Sequence, residues 1–288
     1  MKPTVGIVGT GMLGEAVALR LLDCGFNVVA YNRTVSKLDG IIKAGGSSAD
    51  TPAALARRSD VIFTVVKDAE AVKDVSFGDT GISSGVRSGS VVCDMSTILP
   101  AESRMIHKKF RQQGIDWLDT PVMGGPDAAA AGHLVVMASG SQKSYRRIAD
   151  ILDAISEKRF HLGDAGAAHS IKLSMNMQIA ILAISLSEGI WLARKLGVEP
   201  DLFLKVLNST YFGTGMSRKK AFRMIQGQYP ASFTLANLTK DLRTVHAASG
   251  AHLPLSEEAL RMYENAVREG LGGIDYTGIL EYIERRLR

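Results

Sequence analysis

Three glycines at fixed spacing are the first residues of this chain that could do chemistry. Gly9-Thr10-Gly11-Met12-Leu13-Gly14 has the form GxGxxG. It directly follows the apolar run Val5-Gly6-Ile7-Val8 and opens a helical pattern in which Leu13, Val17 and Leu21 share a face. A strand, a glycine loop and a helix in that order form the setting in which this motif binds a dinucleotide. The first glycine permits the tight turn, the second lets the backbone approach a pyrophosphate, and the third lets helix and strand pack closely. The phosphates would then rest on unsatisfied N–H groups at the positive end of the helix. Gly9, Thr10, Gly11, Met12, Leu13 and Gly14 are therefore the candidate phosphate-binding residues.

The end of the second apolar run decides which nucleotide suits the site. A site for NAD usually places Asp or Glu there to hold the ribose 2′-hydroxyl. This chain has Tyr31-Asn32-Arg33-Thr34, with Lys37 one turn on. Without a carboxylate nothing repels a 2′-phosphate, and Arg33 offers a planar fork of donors to it. Asn32, Thr34 and Lys37 can add further donors. Charge-assisted contacts contribute about 1.5–3 kcal/mol each, or about one to two decades of preference. The expected cofactor is NADP, as NADPH in the reducing direction, in preference to NAD.

Other groups with chemical potential stand where strands end. Ser96 and Thr97 lie in Asp94-Met95-Ser96-Thr97-Ile98-Leu99-Pro100, after an apolar run, and doubly wound sheets bind ligands at such positions. Gly124 and Gly125 leave backbone N–H groups open to an anion, because no side chain intervenes. Lys172 and Asn176 are four residues apart on a long helical stretch, so they share a face. Val66 and Lys67 follow the third strand and are expected to line the nucleotide's path through backbone contacts.

Four blocks in order carry a family resemblance: the glycine loop from Gly6 to Gly14; Asp94 to Pro100; Asp119-Thr120-Pro121-Val122-Met123-Gly124-Gly125 continuing to Gly132; and Gly163-Asp164-Ala165-Gly166 followed by Lys172 and Asn176. A later Lys240-Asp241-Leu242 fits as well. Through them the chain resembles the β-hydroxyacid dehydrogenase family over nearly its whole length. That family includes 3-hydroxyisobutyrate dehydrogenases, tartronate semialdehyde reductases and glyoxylate/succinic semialdehyde reductases. The resemblance implies hydride transfer between NADP(H) and a short β-hydroxyacid or its semialdehyde. It implies that Lys172 is the acid/base, with Asn176 orienting the amine or binding a substrate oxygen. It also implies that Ser96 helps hold the substrate carboxylate, that Thr97 contacts the cofactor, and that Lys240 closes over the cofactor. Where the family usually carries Ser, this chain has Met123, so a hydroxyl donor is replaced by a flexible apolar side chain. Carboxylate binding then leans on Ser96 and on the backbone at Gly124 and Gly125. His169, one turn before Lys172, could tune the amine, although a structural role is the more economical reading.

Two alternatives stand beside this reading. One is imine reduction on the same scaffold, whose enzymes generally lack a lysine at the position of Lys172. The other is a non-catalytic, NADP-bound interaction module.

These residues need elements to position them. Val28–Tyr31, Val61–Val65, Ser90–Asp94, Asp116–Asp119 and His133–Ala138 read as further strands. Helical patterns run from Met12 to Asp23, Ser36 to Ala44 and Pro100 to Gln113. Such alternation predicts an α/β, doubly wound, mostly parallel sheet of Rossmann type with helices on both faces. From Ala165 to Leu196 there is no Pro and there are only two Gly. A helix of about 32 residues would be about 48 Å long, which suits a connector between domains. After it only helices are expected: Leu202–Leu207, Ser217–Ile225, Leu235–Ala248, Ser256–Glu269 and Ile279–Arg286. The expected division is a nucleotide-binding domain over 1–162 and an all-helical substrate and oligomerisation domain over 163–288.

Composition excludes several other classes. With 46% hydrophobic and 22% charged residues, the chain is neither disordered nor short of core material. Its two cysteines and six histidines form no metal spacing, so no metal is expected. The net charge of +5 comes from scattered Lys and Arg, which argues for small anionic ligands rather than specific nucleic acid. No membrane association is expected, because no uninterrupted apolar run approaches a bilayer's thickness. The expectations are cytoplasmic residence and a homodimer or homotetramer acting on a small carboxylate or aldehyde.

Overall fold

The computed structural model describes residues 2–287. The first part is built on β1 Thr4–Val8, β2 Asn27–Tyr31, β3 Ser47–Ser48, β4 Val61–Thr64, β5 Val91–Asp94, β6 Asp116–Asp119, β7 Val122–Met123, β8 Leu134–Gly140 and β9 Ser156–His161. Their order is β3-β2-β1-β4-β5-β6-β8-β7, and β9 pairs with β8. The run from β3 to β6 is parallel, β8 is antiparallel to β6 and to β7, and β9 is parallel to β8. This is the doubly wound arrangement with antiparallel strands added at one side.

Alternate residues of the central strands enter two cores. Val5, Ile7, Val28, Ala30, Phe63, Cys93 and Leu118 pack with Val17 and Leu21 of helix Met12–Asp23. Val8, Val29, Ile62, Val92 and Trp117 pack with Leu55, Ile106 and Phe110 on the opposite face. A sheet covered on both sides needs near-continuous apolar strands, which explains the unbroken runs in the sequence.

Two local departures from the sequence expectation have physical causes. Ser36–Ala44 is not one α-helix: a 3-10 turn spans Val35–Leu38, and α-helix follows over Asp39–Lys43. The carbonyl of Lys37 accepts a hydrogen bond from Thr10 Oγ1 at 3.0 Å, which ties that turn to the glycine loop. Ser217–Ile225 splits into Gly215–Lys219 and Ala221–Ile225. At the break, Lys220 Nζ is drawn to both carboxylate oxygens of Asp275, at 2.9 and 2.8 Å.

The chain divides into two compact units, one ending at Lys172 and one beginning at Leu173. The division falls inside helix Ala167–Lys195, ten residues beyond the 162/163 boundary read from the sequence. The first turn of that helix is fastened to the sheet: Gly166 N–H donates to Asp119 Oδ2 at 2.6 Å, and Ala168 N–H to Ser139 Oγ at 3.1 Å. The second unit is largely helical, with one isolated antiparallel bridge between Thr234 and Asp275 among the described residues. Ala180 and Ala183 of the long helix join Leu238 and Leu242 of helix Leu235–Ser249 and Tyr263 of helix Pro254–Arg268 in its main core. The long helix has the length and hydropathy, 1.3 over its most apolar 18 residues, to cross a membrane by composition alone. Its buried stripe of Ala180, Ala183, Ser187 and Ile190 serves the core of the second unit.

Candidate active site

The glycine loop has the geometry its spacing predicts. Gly9 adopts φ +98°, and a Cβ there would lie 2.4 Å from the carbonyl oxygen of Val65. A Cβ on Gly14 would lie 2.0 Å from the carbonyl oxygen of Gly9. Gly11, the residue before the helix, has nothing within 4 Å of such an atom, so its exposed backbone faces open space. The first helical bond here runs from Glu15 N–H to Gly11 C=O, so the N–H groups of Met12, Leu13 and Gly14 have no acceptor within the helix. This is a built anion cradle, and a nucleotide pyrophosphate fits it.

At the end of β2 the predicted donors divide. Arg33, Thr34 and Lys37 are exposed. Asn32 is used within the protein: its Oδ1 accepts from Thr10 N–H at 3.2 Å, and its Nδ2 donates to the Thr34 carbonyl at 3.0 Å. Asn32 therefore shapes the glycine loop, and Arg33 is left as the foremost candidate for a 2′-phosphate.

Ser96 is similarly committed. It is buried, its Oγ accepts from Val66 N–H at 3.1 Å, and its N–H donates to Asp94 Oδ1 at 3.1 Å. That arrangement locks the loops after β4 and β5 together. Thr97 and Val66 are half-buried, and Lys67 is exposed, 4.0 Å from Asp68 Oδ2.

Lys172 is turned inward. Its Nζ donates to the Val122 carbonyl at 2.8 Å and lies 3.4 Å from Met123 Sδ. The amine thus sits at β7, immediately before Gly124 and Gly125. Gly124 is exposed with φ +118°, and Gly125 precedes the short helix Pro126–Ala131. In the second unit, Asn176 is fully buried and donates from Nδ2 to Asp241 Oδ2 at 2.6 Å. Asp241 Oδ1 lies 2.8 Å from Lys240 Nζ, so Asn176, Asp241 and Lys240 form one chain of contacts.

The sequence reading gave no role to the carboxylates beneath the site. Asp94 and Asp119 end adjacent parallel strands in register with each other. Asp94 Oδ1 accepts from Thr64 Oγ1 at 2.7 Å. Asp119 accepts from Ser103 Oγ, Trp117 Nε1 at 3.2 Å, Ser139 Oγ at 2.7 Å and the Gly166 N–H. Burial drives the Asp94 carboxyl up, and the charge of His169 and hydrogen bonds from Thr64 and Ser96 only partly restrain it. Burial pushes Asp119 the same way. There, interaction with His169 and hydrogen bonds from Ser103 and Gly166 outweigh it and hold the carboxyl well below the usual range. The available signal was an Asp closing each of two successive strands. No group of His, Cys, Asp and Glu that could hold a metal occurs among the described residues.

With this geometry in view, the comparisons are specific. Residues 4–163 match the family described as the NAD binding domain of 6-phosphogluconate dehydrogenase. Residues 166–283 match the family described as NAD-binding of NADP-dependent 3-hydroxyisobutyrate dehydrogenase. The chain belongs to the β-hydroxyacid dehydrogenase family. Among its relatives, L-threonate dehydrogenase of Cupriavidus necator is 30% identical, with 98% of this chain and 96% of that protein covered. Glyoxylate/succinic semialdehyde reductase 2, chloroplastic, of Arabidopsis thaliana is 29% identical, covering 98% of this chain and 79% of the relative. A solved structure described as Psf3 in complex with NADP+ and 2-OPP superposes with TM-score 0.91 at 26% identity, covering 97% and 99% of the two chains. A 3-hydroxyisobutyrate dehydrogenase from Salmonella typhimurium gives TM-score 0.87 at 26% identity with the same coverage. The Rossmann-type domain, nucleotide-cofactor binding and oxidoreductase class of the family therefore extend to this chain.

Proposed function

We propose that this protein reduces a short semialdehyde bearing a carboxylate with NADPH, or oxidises the matching β-hydroxyacid with NADP+, using Lys172 as the general acid or base. The observation that carries the reading is the inward-turned Lys172 amine, 2.8 Å from the Val122 carbonyl at the strand end that leads into exposed Gly124 and half-buried Gly125. When bound, the nicotinamide supplies the hydride, and the protein supplies orientation and a proton. Lys172 Nζ would give that proton to the oxygen of the reacting carbonyl and recover it in the reverse direction. The backbone at Gly124–Gly125 would take the carboxylate, with the bonds of Ser96 fixing the adjacent loop rather than leaving its hydroxyl open. Met123 would place a thioether where a hydroxyl is usual, favouring an apolar substituent near the reacting carbon. By the family resemblance, Asn176 is assigned to the amine or a substrate oxygen, and Thr97 and Lys240 to the cofactor.

Preference for NADP is supported by exposed Arg33 and by the absence of a carboxylate at the end of β2. Homo-oligomerisation is part of the proposal, supported by Leu196, Leu202, Val206 and Phe222 exposed on the helical unit.

The test is spectrophotometric NADPH consumption across C2 to C5 semialdehydes and 2-oxoacids, with a cyclic imine alongside. We expect turnover on a semialdehyde. We expect Lys172→Ala to cut kcat by about two to four decades with NADPH affinity nearly unchanged. Turnover retained in Lys172→Ala refutes the assignment, and turnover confined to the imine replaces the substrate class.

A further inference from the structure

His169 is fully buried on the first turn of helix Ala167–Lys195, three residues before Lys172. Its Nε2 stands at ion-pair distance from two carboxylates, 3.4 Å from Asp119 Oδ1 and 3.8 Å from Asp94 Oδ2. Asp94 Oδ2 has no hydrogen-bond partner among the described residues. Each carboxylate governs a different segment. Asp94 holds Ser96 N–H, and its own carbonyl accepts from Thr120 N–H at 2.7 Å. Asp119 leads into Val122, whose carbonyl holds the Lys172 amine, and it also caps the start of the helix through Gly166 N–H.

We propose that His169 is a positioning residue, its Nε2–H shared between Asp119 and Asp94 so that the Ser96 loop, the β7 segment and the helical turn carrying Lys172 are held as one unit. A buried polar group keeps its place only if its donors and acceptors are matched. Asp119 already collects four donors from its neighbours, whereas Oδ2 of Asp94 collects none, so the imidazole N–H is the donor within reach of both carboxylates. Neither ring nitrogen makes a hydrogen bond of full geometry among the described residues, and the two carboxylates are the groups within ion-pair reach of Nε2. The amine three residues on inherits this register, because side chains at i and i+3 lie over the same face of a helix. A displacement of about 1 Å at a reacting group can cost about a hundredfold in rate.

The inference rests on Lys172 acting as proposed, and the experiment separates the two. Steady-state kinetics of the full chain would compare wild type with His169→Leu, which cannot donate, and His169→Gln, whose amide nitrogen reaches about as far as Nε2. We expect His169→Leu to lower kcat about 10- to 100-fold with KM for NADPH within about twofold. We expect His169→Gln to recover to within about threefold of wild type. Wild-type kcat in His169→Leu, or a Gln variant no better than Leu, overturns the proposal.

A second measurement needs no turnover and serves should the Leu variant not fold or the wild type act on no aldehyde. In spectra of wild-type protein labelled with 15N-histidine, the His169 ring is identified by its loss in His169→Gln. Its Nε2 is expected to carry a proton that exchanges slowly with solvent. A proton on Nδ1 instead, or an Nε2 proton that exchanges at once, overturns the bridge whatever the substrate proves to be.

Discussion

Asp119→Asn removes one charge and one acceptor while keeping the shape of the side chain. Oδ1 of Asp119 accepts from Ser103 Oγ and from Trp117 Nε1 at 3.2 Å, and Oδ2 accepts from Ser139 Oγ at 2.7 Å and Gly166 N at 2.6 Å. An amide offers a single oxygen, so its NH2 must face either Ser139 Oγ and Gly166 N–H, or Ser103 Oγ, Trp117 Nε1 and His169 Nε2. With the oxygen toward Ser139 and Gly166, the Ser103 hydroxyl can rotate to accept, but the Trp117 N–H is orphaned in the core. Weakening the charge-assisted bonds costs about 1.5–3 kcal/mol, and the unpaired donor about 1–3 kcal/mol, giving about 2.5–6 kcal/mol together. That corresponds to a fall in Tm of about 5–24 °C. The chain has two tryptophans, Trp117 in the first unit and Trp191 in the second. Urea unfolding followed by fluorescence in a Trp191→Phe background therefore reports the unit that holds Asp119. Folding depresses the Asp119 pKa. The stability it supplies is complete above the unfolded carboxylate's value of about 3.9 and is lost as pH falls toward the native value. The gap between wild type and Asp119→Asn should thus close only below about pH 4. A variant within about 1 kcal/mol of wild type at neutral pH, or a gap that closes already between pH 7 and 5, refutes the assigned role.

Three further outcomes concern the nucleotide-binding residues. Gly11→Ala places its methyl in open space at an ordinary φ of −70°, so the Tm of the apoprotein should hold while NADPH affinity falls about tenfold or more, measured by fluorescence titration. Gly14→Ala drives a methyl to 2.0 Å from the Gly9 carbonyl oxygen, so both Tm and affinity should fall. Arg33→Ala should raise Kd for NADPH by about one to two decades and leave that for NADH within about twofold, by calorimetry; equal effects on the two would refute the 2′-phosphate role.

Much of the nucleotide-binding unit was legible because its strands are apolar on both faces and its first helix carries a clear stripe. Helix Met12–Asp23 and strand Asp116–Asp119 have the bounds the pattern predicts. The helices Pro52–Arg57 and Ala69–Phe77 were missed, although Thr51 and Asp68 cap them and accept from Ala54 N–H and Ala71 N–H at 3.0 Å each. Segments this short give periodicity little to act on, and the cap was the stronger signal. β9, Ser156–His161, was missed because Glu157, Lys158 and Arg159 mask its alternation. Such charges suit a strand lying outside the main run of the sheet.

The candidate site was legible to a different depth in its two layers. Glycines betray themselves in sequence because a backbone demand leaves no alternative residue, as the 2.0 Å approach at Gly14 shows. A lysine that faces a neighbouring carbonyl looks no different in sequence from one that faces water. Only the fold brings Lys172 to Val122, fifty residues away in the chain. The carboxylates under the site were harder still. Asp94 and Asp119 become neighbours through strand pairing, and His169 meets them only because the long helix begins against the ends of those strands. The same contacts explain why the compact unit extends to Lys172 rather than stopping at the end of the sheet. A helix whose first turn is capped by Asp119 and Ser139 belongs mechanically to the sheet, even though its composition resembles that of the helices that follow.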